Sequence, residues 1–222
     1  DACAEFGTRV LLASSSEVYG PTARGPLSEK DPSVLLPTGR RDVYAFSKAA
    51  GEAYAHALHR TRLLPVTVVR LFNVVGPGQT GRYGMVIPRF VKQAIGGSPL
   101  TVFGDGSQTR CFCHVSDIVS ALLAIAETAD AHGRVVNLSS QEEVSINRVA
   151  ERIVELTGAS SGVLHVPYQE AYVVGFGDMA CRVPDLTLAR SLIGFQPTHT
   201  LDEILADVIS EKRDARAPRG GA

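Results

Sequence analysis

Short apolar runs alternate along this chain with longer stretches of helical period. Residues 10–13 form a continuous apolar run that ends in Ser14-Ser15-Ser16, the pattern of a parallel strand buried on both faces. Residues 65–71, carrying Val66, Val68 and Val69, read the same way, and residues 134–138 give another strand. Shorter strands are expected at 100–103, 110–115 and 163–166. Between them, a helix is expected from Tyr44 to about residue 60, favoured by Ala49, Ala50 and Ala53. A second should run over 85–95, stopped by Gly96-Gly97, with Pro88 in its first turn. The spacing predicts a third over 117–128 with Ser116 as cap, and a fourth over 146–157 between Ser145 and Gly158. Asp185 and Thr200 are expected to cap two terminal helices. Loops should occupy 20–39, 76–84 and 168–182, and 215–222 reads as a frayed tail. Strands alternating with amphipathic helices define an α/β layered fold built on a parallel sheet.

Composition narrows the class without naming a chemistry. With 222 residues and a net charge of −1, the chain has ample length for a core and no basic field that would suit nucleic acid or an anionic membrane. It contains no apolar run of transmembrane length and no signal-like start, so the cytoplasm is the expected compartment. Cys3, Cys111, Cys113 and Cys181 lack a paired zinc spacing and are read as buried or semi-buried thiols, with His114 structural and no metal site.

The candidate chemistry gathers near the first strand. Ligands of open parallel sheets sit at the carboxyl ends of strands, which places Ser14 to Glu17 at a cleft. In Tyr44-Ala45-Phe46-Ser47-Lys48 the tyrosine and lysine are four apart and share a helix face. A phenol acts as a base near neutrality only when a neighbouring cation stabilises its phenolate, and Lys48 is placed to do so.

These stretches stand in order with Val18-Tyr19-Gly20, Arg70-Leu71-Phe72-Asn73, Gly76-Pro77 and Thr101-Val102-Phe103-Gly104-Asp105-Gly106-Ser107-Gln108-Thr109-Arg110. Together they resemble the extended short-chain dehydrogenases/reductases of the NAD-dependent epimerase/dehydratase type, most like UDP-glucose 4-epimerase-like chains. The resemblance implies a Rossmann-like doubly wound sheet with a smaller substrate lobe. Residues 1–73 and about 101–132 would belong to the NAD-binding domain, about 74–100 and 133–213 to the nucleotide-sugar lobe, and 214–222 to a flexible tail. It also implies roles. Tyr44 would take the proton of the sugar 4-hydroxyl, Lys48 would assist it and hold the nicotinamide ribose, Ser15 would hydrogen-bond the same sugar oxygen, and Glu17 would stand beside them. Ser14 and Phe72 would line the cofactor. Ser16, Asn73, Val86, Thr101, Phe103, Arg110, Arg182 and Asp185 would contact the UDP-sugar, the arginines through its phosphates. The cofactor implied is NAD, the partner a UDP-sugar, and the whole protein a homodimer.

Related reactions are distinguished at Ser16-Glu17. Dehydratases of this type carry an Asp-Glu pair after the active-site hydroxyl, so Ser16 removes the expected acid. The segment 79–88 and Cys111-Phe112-Cys113-His114 look more like the epimerase group, which favours 4-epimerisation over UDP-glucuronate decarboxylation. The strand, glycine-rich turn and helix with which such proteins hold the cofactor pyrophosphate are not read anywhere, and Glu5-Phe6-Gly7 is no substitute. The chain is read as starting at about the fourth strand of the fold, with on the order of one hundred residues of an ordinary domain missing. A chain lacking that part is expected to bind NAD weakly by itself and to associate through an open sheet edge. An inactive nucleotide-sugar-binding fragment is the reading from another class.

Overall fold

The computed structural model describes residues 2–21, 25–35, 42–81, 85–167 and 183–215. In chain order the elements are α1 (Ala2–Glu5), β1 (Val10–Ser15), a 3-10 turn (Ser16–Tyr19), β2 (Pro26–Leu27), α2 (Asp42–Arg62), β3 (Val66–Leu71), β4 (Val74–Val75) and α3 (Val86–Gly96). There follow β5 (Leu100–Phe103), β6 (Thr109–Cys111), β7 (Cys113–His114), α4 (Val115–Glu127), β8 (Val135–Leu138), β9 (Glu143–Ser145) and α5 (Ile146–Thr157). The last are β10 (Val163–Val166), β11 (Val183–Pro184), α6 (Thr187–Ile193) and α7 (Leu201–Asp214).

The main sheet is parallel, in the order β1-β3-β8. Alternation sorts its side chains between two layers. Val66 and Val68 of β3 pack with Val10 and Leu12 of β1 against Ala55 of α2, while Val69 packs with Val136 and Leu138 against Ile118, Ala121 and Ile125 of α4. A separate apolar cluster joins α3, α5 and α7 to β5 through Phe90, Val91, Leu100, Val102, Ile153, Ile204 and Leu205. The expected placing of 135–138 in the substrate lobe gives way here, because β8 completes the main sheet through its ladder with β3. Ala189 of α6 packs on that sheet's cluster as well.

Local signals explain most element ends. Ser145 caps α5 by accepting from the Arg148 amide, and Gly158 closes it in the left-handed region. Thr200 and Glu203 form a reciprocal capping box at α7. Two caps differ from expectation. At α4 the cap is His114, whose ring accepts from the Ser116 amide, because the helix begins two residues earlier than its polar pattern suggests. Asp185 accepts from the Thr187 amide, but Leu186 holds the cap position of α6. The tail beyond residue 215 and the segment 168–182 lie outside the described residues.

Gly20 ends the turn after β1 at φ 82°, and a Cβ there would lie 1.8 Å from the Val34 carbonyl oxygen. The position demands glycine both for its backbone and for the approach of residue 34. Gly20→Ala is expected to destabilise the protein by more than about 1 kcal/mol in urea unfolding. A loss smaller than that would show that the loop at Val34 can withdraw freely.

Candidate active site

The carboxyl end of β1 and the face of α2 above it build one site. Tyr44, Lys48 and Glu52 recur every four residues on α2, so one helix face carries a phenol, an ammonium and a carboxylate. Lys48 Nζ donates to the Ala13 carbonyl at 2.8 Å and lies 5.6 Å from the centre of the Tyr44 ring. The structure thus brings Lys48 to the strand end that carries Ser14 and Ser15, with Tyr44 beside it and half exposed. Ser15 caps the 3-10 turn, its hydroxyl accepting from the Glu17 amide at 3.2 Å. Ser16 is buried in that turn, and Glu17 is part-buried in its first residues.

Below this surface lies a buried polar layer that the sequence did not announce. Ser14, Arg70 and Asn137 are register partners across β1, β3 and β8. Glu52 reaches down from α2, accepts from the Ser14 hydroxyl, and receives Arg70 Nε at 3.0 Å and Nη2 at 2.7 Å. The Arg70 guanidinium lies 4.6 Å from the Tyr19 ring, and the Tyr19 hydroxyl donates to Asn137 Oδ1 at 2.8 Å. The Asn137 amide donates to Glu29 at 2.9 Å, which ties the loop after β2 to the same layer. Burial acts against charge throughout. It raises the pKa of Tyr19 against the counter-pull of Arg70, and it raises that of Glu29. Burial is the largest influence on Arg70 and would lower its pKa, but Glu52 and Tyr19 together outweigh it and the net shift is upward.

The other expected residues fall in three places. Phe72 is fully buried in a small cluster with Tyr19 and Leu27, so its packing role is complete without a ligand. Asn73 adopts φ 28°, unusual for a side-chain-bearing residue, and its amide donates to the Cys111 carbonyl at 3.1 Å. A second group forms around α3 and β5. Gln93 makes a two-point clasp on Thr101, through its amide nitrogen at 3.0 Å and its oxygen at 3.2 Å. Arg89 donates to the Thr101 carbonyl and stacks over the Phe103 ring at 4.2 Å. Val86 opens α3 and packs on the adjoining cluster. Arg110 is buried on β6, where it donates to the Thr109 carbonyl at 2.6 Å. Arg182 lies outside the described residues. Glu52, Arg70 and Asn137 are the residues sequence reasoning missed. For Glu52 the available signal was the second four-residue step along α2, from Lys48 to Glu52.

The cysteines are not uniform. Cys111 and Cys113 are buried, Cys3 is exposed against expectation, and Cys181 lies outside the described residues. Burial, aided by the Asp117 carboxylate, pushes the Cys113 thiol up to about 12. At about pH 8, near the ordinary thiol range, a maleimide is expected to modify Cys3 and to spare Cys111 and Cys113. Peptide mass mapping checks this, and labelling of Cys113 at the rate of Cys3 would contradict it. Among the described residues no cluster of three or more His, Cys, Asp or Glu could hold a metal ion.

A G-x-G-x-x-G spacing does occur, at Gly76, Gly78 and Gly81, contrary to the sequence reading. Its context differs from a pyrophosphate turn: β4 is two residues long and pairs outside the main sheet, and α3 opens only at Val86. Gly76 serves packing there, since a Cβ would meet the Val115 side chain at 2.4 Å.

An open parallel α/β sheet with a Tyr-Lys helix face at a strand's carboxyl end defines a Rossmann-like protein of the short-chain dehydrogenase type. More particularly, the chain belongs to the NAD dependent epimerase/dehydratase family, whose model matches residues 1–139. It is 39% identical over 208 residues to a UDP-N-acetyl-alpha-D-glucosaminuronate decarboxylase of Bacillus cytotoxicus, covering 93% of this chain and 64% of that one. Among solved structures it is similar to MoeE5 in complex with UDP-glucuronic acid and NAD, with 35% identity and TM-score 0.81, over 96% of this chain and 68% of that one. The UDP-glucuronic acid 4-epimerase of Bacillus cereus, in complex with UDP-glucuronic acid and NAD, gives 28% identity and TM-score 0.81 over 93% of this chain and 62% of that one. The chain therefore spans less than two thirds of its decarboxylase relative.

Proposed function

We propose that the whole protein carrying this chain is an NAD-dependent enzyme acting on a UDP-sugar, whose first step oxidises carbon 4 of the sugar. The observation that carries this reading is the Lys48 ammonium seated on the Ala13 carbonyl, which sets Tyr44 and Lys48 beside the strand end bearing Ser15. Tyr44 takes the 4-hydroxyl proton while Ser15 hydrogen-bonds the same oxygen. Lys48 spends one donor on Ala13 and offers the others to the nicotinamide ribose. Held there, NAD would supply the acceptor for the hydride that carbon 4 gives up as its hydroxyl becomes a keto group. These residues suit the nicotinamide half of the cofactor.

The relatives named above share UDP-uronic acids, which supports a UDP-uronate as substrate. A uronate oxidised at carbon 4 is a β-keto acid, and it can lose its carboxyl group as carbon dioxide with the keto group as electron sink. The decarboxylase at 39% identity favours that outcome as the first reading. Epimerisation at carbon 4, in which the keto-sugar turns and regains hydride on its other face, is the second, favoured by the 4-epimerase structure. Thr101, Phe103, Arg110, Arg182 and Asp185 are proposed to hold the nucleotide, with Asn73, Ser16 and Val86 near the sugar. The protein is proposed to work in the cytoplasm as a homodimer, for which the exposed Val43, Phe46 and Tyr54 on α2 offer an apolar helix face. Carbon NMR of UDP-glucuronate incubated with the whole protein and NAD tests the product. Release of carbon dioxide with a UDP-pentose supports decarboxylation, UDP-galacturonate supports epimerisation, and unchanged substrate would refute both.

A further inference from the structure

We infer that Glu52 is a positioning residue for the Tyr44–Lys48–Ser15 site, a role that rests on the function proposed above. The face of α2 that presents Tyr44 and Lys48 grips the end of β1 at two successive residues. Lys48 holds the backbone carbonyl of Ala13, and one helical turn further on Glu52 holds the side chain of Ser14. Ser15, next in line, is thus set relative to the helix by two anchors on one side of it. Glu52 is itself fixed by Arg70, the register partner of Ser14 on β3, through two parallel hydrogen bonds. Arg70 in turn is held under the Tyr19 ring, and Tyr19 is bonded to Asn137, the register partner of Arg70 on β8. The helix that supplies the base is therefore keyed to all three strands through one carboxylate.

A buried charge pair made only for stability would be a poor choice, since a well-packed apolar pair of similar volume does as well or better. Alignment is what an apolar pair could not give. Without the Glu52 anchor, α2 can slide or roll on β1 while its apolar contacts persist. A displacement of the order of 1 Å at a catalytic group is enough to slow chemistry about a hundredfold.

The test compares wild type with Glu52→Gln, with the double variant Glu52→Gln/Arg70→Met, which removes both charges, and with Ser14→Ala. Thermal unfolding and amide hydrogen exchange are read on each. Reduction of NAD by UDP-glucuronate is read on the whole protein in a single turnover. For a positioning role, the double variant recovers most of the stability lost in Glu52→Gln, while exchange across residues 13–19 stays about tenfold faster than in wild type and exchange in β3 and β8 is unchanged. Its hydride-transfer rate falls about ten- to a hundredfold with little change in KM for UDP-glucuronate. Wild-type exchange and rate in the double variant would overturn the inference. Should that variant fail to fold, Ser14→Ala decides by the same local exchange, unchanged exchange again overturning it. Absence of NAD reduction in the wild type would overturn the proposed function instead, and exchange at 13–19 would still decide whether Glu52 orders the strand end.

Discussion

Tyr44→Phe in the whole protein is expected to lower turnover of its UDP-sugar by about 10²- to 10⁴-fold, the range by which a positioned acid–base group accelerates proton transfer. The substitution removes one oxygen from a half-exposed ring, so no core contact is lost and the fold should not change. On the proposed function KM for the UDP-sugar should move little, because the phenol would act on the reacting hydroxyl while the nucleotide would be held elsewhere, around Thr101, Phe103 and Arg110. Lys48→Met should fall in the same range while also loosening α2 from Ala13. Steady-state kinetics with UDP-glucuronate and NAD check both. A Tyr44→Phe protein that keeps more than about a tenth of wild-type turnover would remove Tyr44 from the proton transfer.

Glu52→Ala carries the largest expected effect on stability, a loss of about 3–5 kcal/mol. The reason is asymmetry. The substitution removes a carboxylate whose side chain is 8% exposed and leaves the Arg70 guanidinium, 6% exposed, charged and without its partner. Arg70 cannot shed its proton to escape the penalty, as a lysine could. One of its nitrogens, Nη1, already lies buried without a hydrogen-bond partner among the described residues. Ser14 loses its acceptor in the same step. Urea unfolding measures the loss. A value below about 1 kcal/mol would mean that water reaches Arg70 and that the pair behaves as a surface ion pair.

The parts of this molecule legible in its sequence are those written in local signals. β1, β3 and β8 were visible as short apolar runs, and β3 and β8 are buried along most of their length, but β1 is not the doubly buried strand expected: Leu11 and Ala13 face outward. α5 was visible end to end because Ser145 and Gly158 mark its limits by their own chemistry. Tyr44 and Lys48 were visible because two reactive side chains four apart on a helix share a face. What stayed hidden depends on contacts distant in sequence. Glu52 and Arg70 are 18 residues apart and each looks like an ordinary surface charge until α2 folds back on β3. Asn137 sits within an apolar strand and is explained by partners distant in sequence, the Tyr19 hydroxyl 118 residues away and the Leu27 carbonyl 110 residues away. Of the short ladders β4–β7, β2–β11 and β6–β9, only β6 and β7 were anticipated, as one strand over 110–115, since strands of two or three residues carry too little periodicity to register singly. The packing role of Phe72 was hidden as well. A position assigned by resemblance to the cofactor is, in its described contacts, a core residue.

The central claim is that the site formed by Tyr44, Lys48 and Ser15 oxidises carbon 4 of a UDP-sugar. It is tested most directly by mixing the whole protein, loaded with NAD, with UDP-glucuronate in a stopped-flow instrument and following the absorbance of reduced nicotinamide. The account predicts a transient rise in the wild type and no rise in Tyr44→Phe that has bound the same UDP-glucuronate. A flat trace in a wild-type protein shown by calorimetry to hold both NAD and UDP-glucuronate would contradict it.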